Sequence, residues 1–98
     1  MRFCDVLQAV RQWIDMAACR QGLGTDVVRC DDAGLRVFFE STDKVGELIV
    51  AQADFAPYRF VSFQVLDTDE KPVFCYYDSE CSTITEILGK LDEGLQMI

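Results

Sequence analysis

Residues 58–66 read Tyr-Arg-Phe-Val-Ser-Phe-Gln-Val-Leu and form the most strand-like run in this 98-residue chain. Most of these side chains are aromatic or β-branched, the types that favour strands. The polar residues of the run are Arg59, Ser62 and Gln64. Successive side chains of a strand point to opposite faces of a sheet, so the run predicts a strand with one face more apolar than the other.

Shorter runs with the same period of two surround this strand, at 27–30, 35–40, 47–52 and 73–77. The segments that connect them are rich in polar and turn-forming residues, as in 31–34 and 67–72, and Pro57 marks a break before the central run. Connections this short join antiparallel neighbours, because parallel strands need a crossover of about a dozen residues or more. The pattern therefore predicts an antiparallel meander of four to five strands.

A helical period marks both ends of the chain. Through the first 21 residues, apolar side chains recur every three or four positions, and Gly22 follows as a residue suited to positive φ. After Thr83 the same period returns, Thr83 and Glu86 form a capping-box pattern, and Gly94 is a candidate helix end. We predict one α+β domain over residues 1–98, with one helix at each terminus of the meander, α-β(4–5)-α.

Alternation assigns the strand residues to two faces of the predicted sheet. Both helices are expected to cover the more apolar face, because their own apolar stripes need a partner. The covered face is predicted to contain Leu35, Val37, Phe39, Leu48, Val50, Val61, Phe63, Val65, Val73 and Cys75. The second face is predicted to contain Arg36, Phe38, Glu40, Glu47, Ile49, Phe60, Ser62, Gln64, Leu66, Phe74 and Tyr76.

The predicted second face carries more large apolar side chains than a solvated surface needs. If the strands are neighbours, Phe38, Ile49, Phe60, Phe74 and Tyr76 form one contiguous patch. Three explanations are open. The helices lie on opposite faces and bury both, the patch is a homodimer interface, or it docks a different protein.

The chain is acidic, and its charge is unevenly distributed. The net charge is −8; residues 1–24 carry a balance of +1, and the remaining 15 acids and 6 bases give −9. This field repels nucleic acid and anionic membranes and attracts basic proteins, although acidity also serves solubility alone. No run approaches the roughly 18 apolar residues of a membrane span. The N-terminal residues lack a secretory-signal pattern, so we expect a cytoplasmic protein.

No motif in the chain indicates catalysis or a metal site. Histidine is absent, which removes the commonest general base and metal ligand. The 5 cysteines have no Cys-x-x-Cys spacing and are expected to be free thiols in a reducing compartment, several of them buried. We expect no cofactor, no metal and no enzymatic activity. The acidic run 78–80 is expected to be a solvated turn, and Trp13 to be half-buried at the edge of the first helix.

The whole-chain pattern resembles the small immunity proteins that bacteria encode beside secreted polymorphic toxins. The likeness rests on the opening helix with Trp13, the run Gly46-Glu-Leu-Ile-Val, the strand Tyr58–Leu66 and the closing helix after Thr83. The Trp-Glu-His run of one such family is absent. The resemblance implies a cytosolic protein that binds and blocks a toxin domain without catalysis of its own. Against a basic toxin such as a nuclease, its acidic surface would imitate phosphates.

The predicted partner-binding surface combines exposed acids at turns with aromatic residues of the second face. Two alternatives remain beside the immunity-type inhibitor: a dimer similar to type III secretion chaperones, and a small enzyme that uses paired carboxylates. The predicted binding residues are Asp31, Asp32, Asp67, Asp69, Glu70, Phe38, Phe60 and Tyr76.

Overall fold

The computed structural model describes residues 3–20, 22–52 and 59–98, and this part of the chain forms two helices and five strands. The break predicted at 54–57 and the first residue of the predicted strand, Tyr58, lie outside the described residues. The order of one helix, five strands and one helix confirms the predicted α+β class with a helix at each terminus. The elements are α1 (Phe3–Ala17), β1 (Gly24–Asp31), β2 (Gly34–Glu40), β3 (Lys44–Ala51), β4 (Val61–Asp67), β5 (Pro72–Tyr77) and α2 (Ile84–Gln96).

The five strands form one antiparallel sheet in the order β1-β2-β3-β4-β5. Each strand pairs with the next one along the chain, which confirms the predicted meander. The register places Val37 opposite Leu48 and Leu48 opposite Phe63, so that apolar side chains of three strands form a row on one face.

Both helices pack on that face. In α1 the Trp13 ring meets the rings of Phe39 and Phe63 edge to face, with centroids 5.8 and 6.3 Å apart. In α2, Gly94 lies so close to Phe63 that a Cβ added to it would be 2.7 Å from the phenyl ring. The alternative in which the helices lie on opposite faces is therefore wrong, and no helix of the described residues covers the other side of the sheet.

The predicted covered face is largely confirmed. Val73 is partly buried and packs against the core, whereas Cys75 is exposed, so its predicted place in the core is wrong. The remaining predicted members are all buried: Leu35, Val37, Phe39, Leu48, Val50, Val61, Phe63 and Val65.

A β-bulge between β4 and β5 accounts for the error in β5. Val65 lies opposite Phe74 but Leu66 lies opposite Pro72, so Val73 is an extra residue on β5. Phe74 and Tyr76 of β5 point towards the helices, where their large rings bury more apolar area than a thiol would. The side chains that the sequence assigned to the wrong face of β5 are Phe74, Tyr76 and Cys75.

Phe60 was also predicted on the second face and lies on the helix side instead. Its ring packs edge to face against Phe3 of α1, with centroids 5.3 Å apart. The regular alternation does not extend to Phe60, because β4 begins at Val61 and the two preceding described residues form a bend.

The helix ends differ partly from the prediction. α1 ends at Ala17, before the predicted end near residue 21, although Gly22 does have a positive φ of 78°. The N-cap of α2 is confirmed, since Thr83 Oγ1 accepts a hydrogen bond from the Glu86 amide at 3.1 Å. The helix continues past Gly94, so the predicted end there is wrong.

Two predictions about burial are wrong. Trp13 is only 6% exposed instead of half-buried, and its Nε1 donates to Asp92 Oδ1 of α2 at 2.7 Å. No cysteine is buried: all five are free and exposed. Cys30 lies on the helix side of β1, where its Sγ accepts a hydrogen bond from Arg11 Nε of α1 at 3.1 Å, but it is exposed like the other four thiols and none belongs to the buried core.

Candidate functional site

The sheet side opposite the helices has no covering element among the described residues. We call it the open face. Cross-strand pairing defines its members, because directly opposed residues of an antiparallel sheet share a face. Those with side chains beyond Cβ are Asp26, Arg29, Asp31, Arg36, Phe38, Glu40, Val45, Glu47, Ile49, Ser62, Gln64, Leu66, Pro72, Cys75 and Tyr77.

An apolar strip crosses the middle of the open face. Val45 is opposite Leu66, and Phe38 on β2 and Ile49 on β3 extend the strip. Val45 is 42% exposed, and the other three are partly exposed. Phe38, Val45 and Leu66, together with the polar side chains of Glu47 and Gln64, line a hollow of about 140 Å³. A strip of this kind gives a protein partner apolar area to bury.

A second hollow of about 380 Å³ adjoins the first and shares Phe38 and Val45 with it. Its rim includes Asp26 and Glu40, which form no ion pair with another described residue. Both carboxylates are exposed, so neither lies in the water-excluded environment in which paired catalytic carboxylates work. The arrangement suits attraction of a cationic group more than acid–base chemistry.

Arg36 organises the polar side of the strip. Its Nε and Nη2 both donate to Glu47 Oε2, at 3.1 and 2.6 Å, and its guanidinium lies 5.1 Å from the centroid of the Phe38 ring. The pair holds the Phe38 ring from one side through a cation–π contact. Arg36 and Glu47 largely neutralise each other, so the excess negative charge of the strip lies at Asp26 and Glu40.

Of the three aromatic residues predicted for binding, only Phe38 lies on the open face. Phe60 and Tyr76 lie on the helix side and pack against the core, so the predicted contiguous aromatic patch does not exist. Sequence reasoning placed Ile49 and Leu66 on the second face correctly but did not choose them as binding residues. The sequence-based prediction missed Val45, because the predicted strand begins at 47 and β3 begins at Lys44. Extending the alternation of β3 back to Val45 would have placed it on the second face.

Two of the five predicted acids stabilise their own turns. Asp31 Oδ1 accepts hydrogen bonds from the amides of Ala33 and Gly34, at 2.8 and 3.1 Å. The hydrogen bond from Arg29 and the one from the Ala33 amide lower the pKa of Asp31 below its usual value. Asp67 Oδ1 likewise accepts from two amides of the next turn. Both carboxylates act as Asx-turn caps, in which the Asp side chain accepts hydrogen bonds from the backbone of its own turn.

The acidic turns also lie too far apart to form one site. The β1–β2 turn is at one end of the sheet and the β4–β5 turn at the other, a strand length of roughly 20 Å away. Asp32, Asp69 and Glu70 are exposed residues at these two ends, and Glu70 has a positive φ of 60°. The structure therefore does not bring the predicted acids together with Phe38.

A buried carboxylate lies just after β5, where the sequence predicts a solvated turn. Asp78 is only 2% exposed, and its Oδ1 accepts hydrogen bonds from the amides of Phe60 and Val61, each at 2.8 Å. Asp78 Oδ2 and the hydroxyl of Tyr76 are buried without a hydrogen-bond partner in the described part of the chain. Burial raises the pKa of Tyr76, an effect that the nearby Ser82 hydroxyl opposes. Asp78 secures the start of β4, a role that depends on contacts 17 and 18 residues away.

Comparison with known proteins gives no assignment. No protein family model, curated protein or solved structure matches this chain. Residues 3–20, 22–52 and 59–98 contain no group of three potential metal ligands and no helix that is long and apolar enough to cross a membrane.

Proposed function

We propose that the protein is a non-catalytic binding module of the immunity type, which inhibits a toxin or another basic protein by binding it on the open face. We place it in the cytoplasm, where such an inhibitor protects its own cell. The observation that carries the proposal is the five-stranded sheet with both helices on one side and an apolar, acid-rimmed strip on the other.

The chemistry of the strip suits a basic protein. Phe38, Val45 and Leu66 offer apolar area for the centre of an interface, and Asp26 and Glu40 can pair with lysine or arginine at its rim. The net charge of −8 adds a long-range field that speeds the approach of a cationic partner. Apolar contact provides most of the affinity in such an interface, and charge provides rate and selectivity.

The two alternative functions have less support. Chaperones of type III secretion usually carry a helix in mid-chain, and the described residues between 24 and 77 form strands and connections only. A paired-carboxylate enzyme needs two acids in a desolvated pocket, whereas the acids of the open face are exposed.

Affinity capture with two matched variants tests the proposal. Tagged wild-type protein is incubated with lysate of the source cells at low and at high salt, beside Phe38→Ser/Glu40→Lys and Asp69→Lys. Glu40→Lys and Asp69→Lys make the same charge change, but Asp69 lies in an exposed turn away from the strip. Wild type and Asp69→Lys are expected to capture the same basic protein. The open-face variant, Phe38→Ser/Glu40→Lys, is expected not to capture it.

Salt adds a second criterion. Screening shortens the range of charge attraction, so association with the captured protein should slow several-fold between low and high salt. Capture that survives in the open-face variant but is lost in Asp69→Lys would contradict the open-face site and favour the turn acids. An acidic partner, or a partner whose binding is independent of salt, would contradict the proposal that this protein inhibits a basic protein.

A further inference from the structure

The outer edge of the sheet at β1 is unusually accessible. β1 is the terminal strand among the described residues, and seven of its eight residues are exposed. Val27 and Val28 are 49% and 54% exposed at its centre. An edge strand offers unpaired backbone amides and carbonyls to another strand, and exposed valines favour that pairing.

A β-bulge determines how β1 presents its charges. Val27 lies opposite Val37 and Arg29 opposite Arg36, so Val28 is an extra residue on β1. In a regular strand, two residues three positions apart point to opposite faces. Because of the bulge, Asp26 and Arg29 both lie on the open face.

We propose that β1 pairs antiparallel with β1 of a second copy of this chain, about a two-fold axis perpendicular to the sheet. In the register centred between Val27 and Val28, Asp26 of each copy lies opposite Arg29 of the other. Both residues are on the open face, so the Arg29 guanidinium, which also pairs through Nε with Asp31 of its own strand at 3.0 Å, faces the Asp26 carboxylate of the other copy, and the contact occurs twice. Thr25 lies opposite Cys30 of the second copy, and both residues are on the helix side.

Charge and face together select this register. A shift by two residues that keeps the faces matched opposes Asp26 to Asp31 of the second copy, which places like charges together. A regular strand from another protein would not match the bulge, whereas two copies of β1 carry their bulges at the same place, on the two-fold axis. The opposite edge of the sheet is less suited, because β5 begins with Pro72, which has no amide to donate.

The resulting dimer has a continuous ten-stranded sheet, with the open faces of both copies on the same side. The interface leaves Phe38, Val45 and Leu66 uncovered but engages Asp26, one of the two acids at the rim of the apolar strip. The proposed function therefore does not require the dimer, and a basic partner competes with Arg29 of the second copy for the Asp26 carboxylate. An interface of one short strand from each copy is small. We expect a dissociation constant on the order of 10–100 μM, well above that of a stable dimer.

Sedimentation equilibrium with a charge-swap series tests the proposal, on the purified chain without any other protein. Wild type is expected to convert from monomer to dimer as its concentration rises. Asp26→Arg and Arg29→Asp each replace two attractive pairs by two repulsive ones and are expected to weaken dimerisation by about 10-fold. The double variant Asp26→Arg/Arg29→Asp restores the pairs with reversed sign and is expected to dimerise within about 3-fold of wild type. Asp69→Arg, in a distant turn, is the control for net charge and is expected to match wild type.

Three outcomes of the sedimentation experiment would overturn the proposal: wild type that is monomeric at about 1 mM, single variants that dimerise as wild type does, or a double variant as weak as the single ones. Far-ultraviolet circular dichroism confirms that each variant is folded. Amide hydrogen exchange of wild type supplies an independent readout, because the outward-facing amides of β1 should become protected only at concentrations at which the dimer forms. Protection that does not change with concentration would also contradict the proposal. None of these results depends on a toxin, so they do not decide the proposed function.

Discussion

At the scale of single residues, glycine in α2 has two different roles. Gly89 has nothing within 4 Å of the position that a Cβ would occupy, whereas a Cβ on Gly94 would be 2.7 Å from the Phe63 ring and 2.8 Å from the Phe74 ring. The sequence suggested Gly94 as the helix end, but the helix continues to Gln96. Gly94 is required because two aromatic rings pack directly against the helix backbone.

Alanine substitution separates the two roles. Gly89→Ala should raise the free energy of unfolding by up to about 1 kcal/mol, because alanine favours the helix and meets no neighbour. Gly94→Ala should lower it by about 1–2 kcal/mol, since the buried rings have little room to move and overpacking outweighs the gain in helix propensity. Urea denaturation followed by circular dichroism measures both. Equal stabilisation by the two substitutions would show that Phe63 and Phe74 do not pack on Gly94 as described.

Residues with long-range polar roles were the hardest to recognise from the sequence. Asp78 stands in an Asp-Ser-Glu run that resembles a solvated turn, yet it binds two amides of the chain near the start of β4. No local pattern distinguishes such a carboxylate from its exposed neighbours, because its partners, Phe60 and Val61, lie 18 and 17 residues away. The opposite holds for Thr83, whose capping bond stays within four residues and follows from local sequence alone.

At the scale of elements, alternation predicted the faces of β2, β3 and β4, failed at β5 and assigned no face to β1. The period of two was visible in β5, but its assignment to a face depended on the extra residue Val73, and nothing in the sequence marks that bulge. The strand order was predictable because every connection is short enough to impose antiparallel neighbours. The common face of both helices followed from their apolar stripes, which need the same sheet surface.

One polar contact joins the two helices across the core. Trp13 of α1 donates to Asp92 of α2 at 2.7 Å, and the indole is almost completely buried. Asp92→Ala should lower the free energy of unfolding by about 1–2 kcal/mol, because it leaves a buried N–H without an acceptor. In a Trp13→Phe background the same substitution should cost little, since no donor remains. A coupling energy near zero in this double-mutant cycle would contradict the contact.

A control for this cycle lies one residue further along α2. Glu93 pairs with Lys90 at 3.0 Å, and both side chains are at least half exposed. Exposed pairs of this kind contribute little, so Glu93→Ala should change stability by less than about 0.5 kcal/mol.

At the scale of the whole molecule, the sequence predicted a second face with surplus apolar residues, but it chose the wrong acids to accompany them. The surplus of apolar residues on the second face was real for Phe38, Ile49 and Leu66, and these form part of the strip. The turn acids were attractive as binding residues because they are numerous. Two of them instead hold their own turns, and the two acidic turns lie at opposite ends of the sheet. Which acids flank the strip depends on strand register, which the sequence did not specify.

The exposed thiols provide a direct test of the open face as the binding surface. Cys75 lies on the open face opposite Gln64, whereas Cys4 and Cys19 lie on the solvent side of α1 and just after its end. Alkylation of the free protein and of its complex with the captured basic partner, followed by mass spectrometry, compares these sites in one sample. The account predicts that the partner slows alkylation of Cys75 and leaves Cys4 and Cys19 unchanged. Protection of Cys4 or Cys19 with full reactivity at Cys75 would contradict it and place the binding surface on the helices.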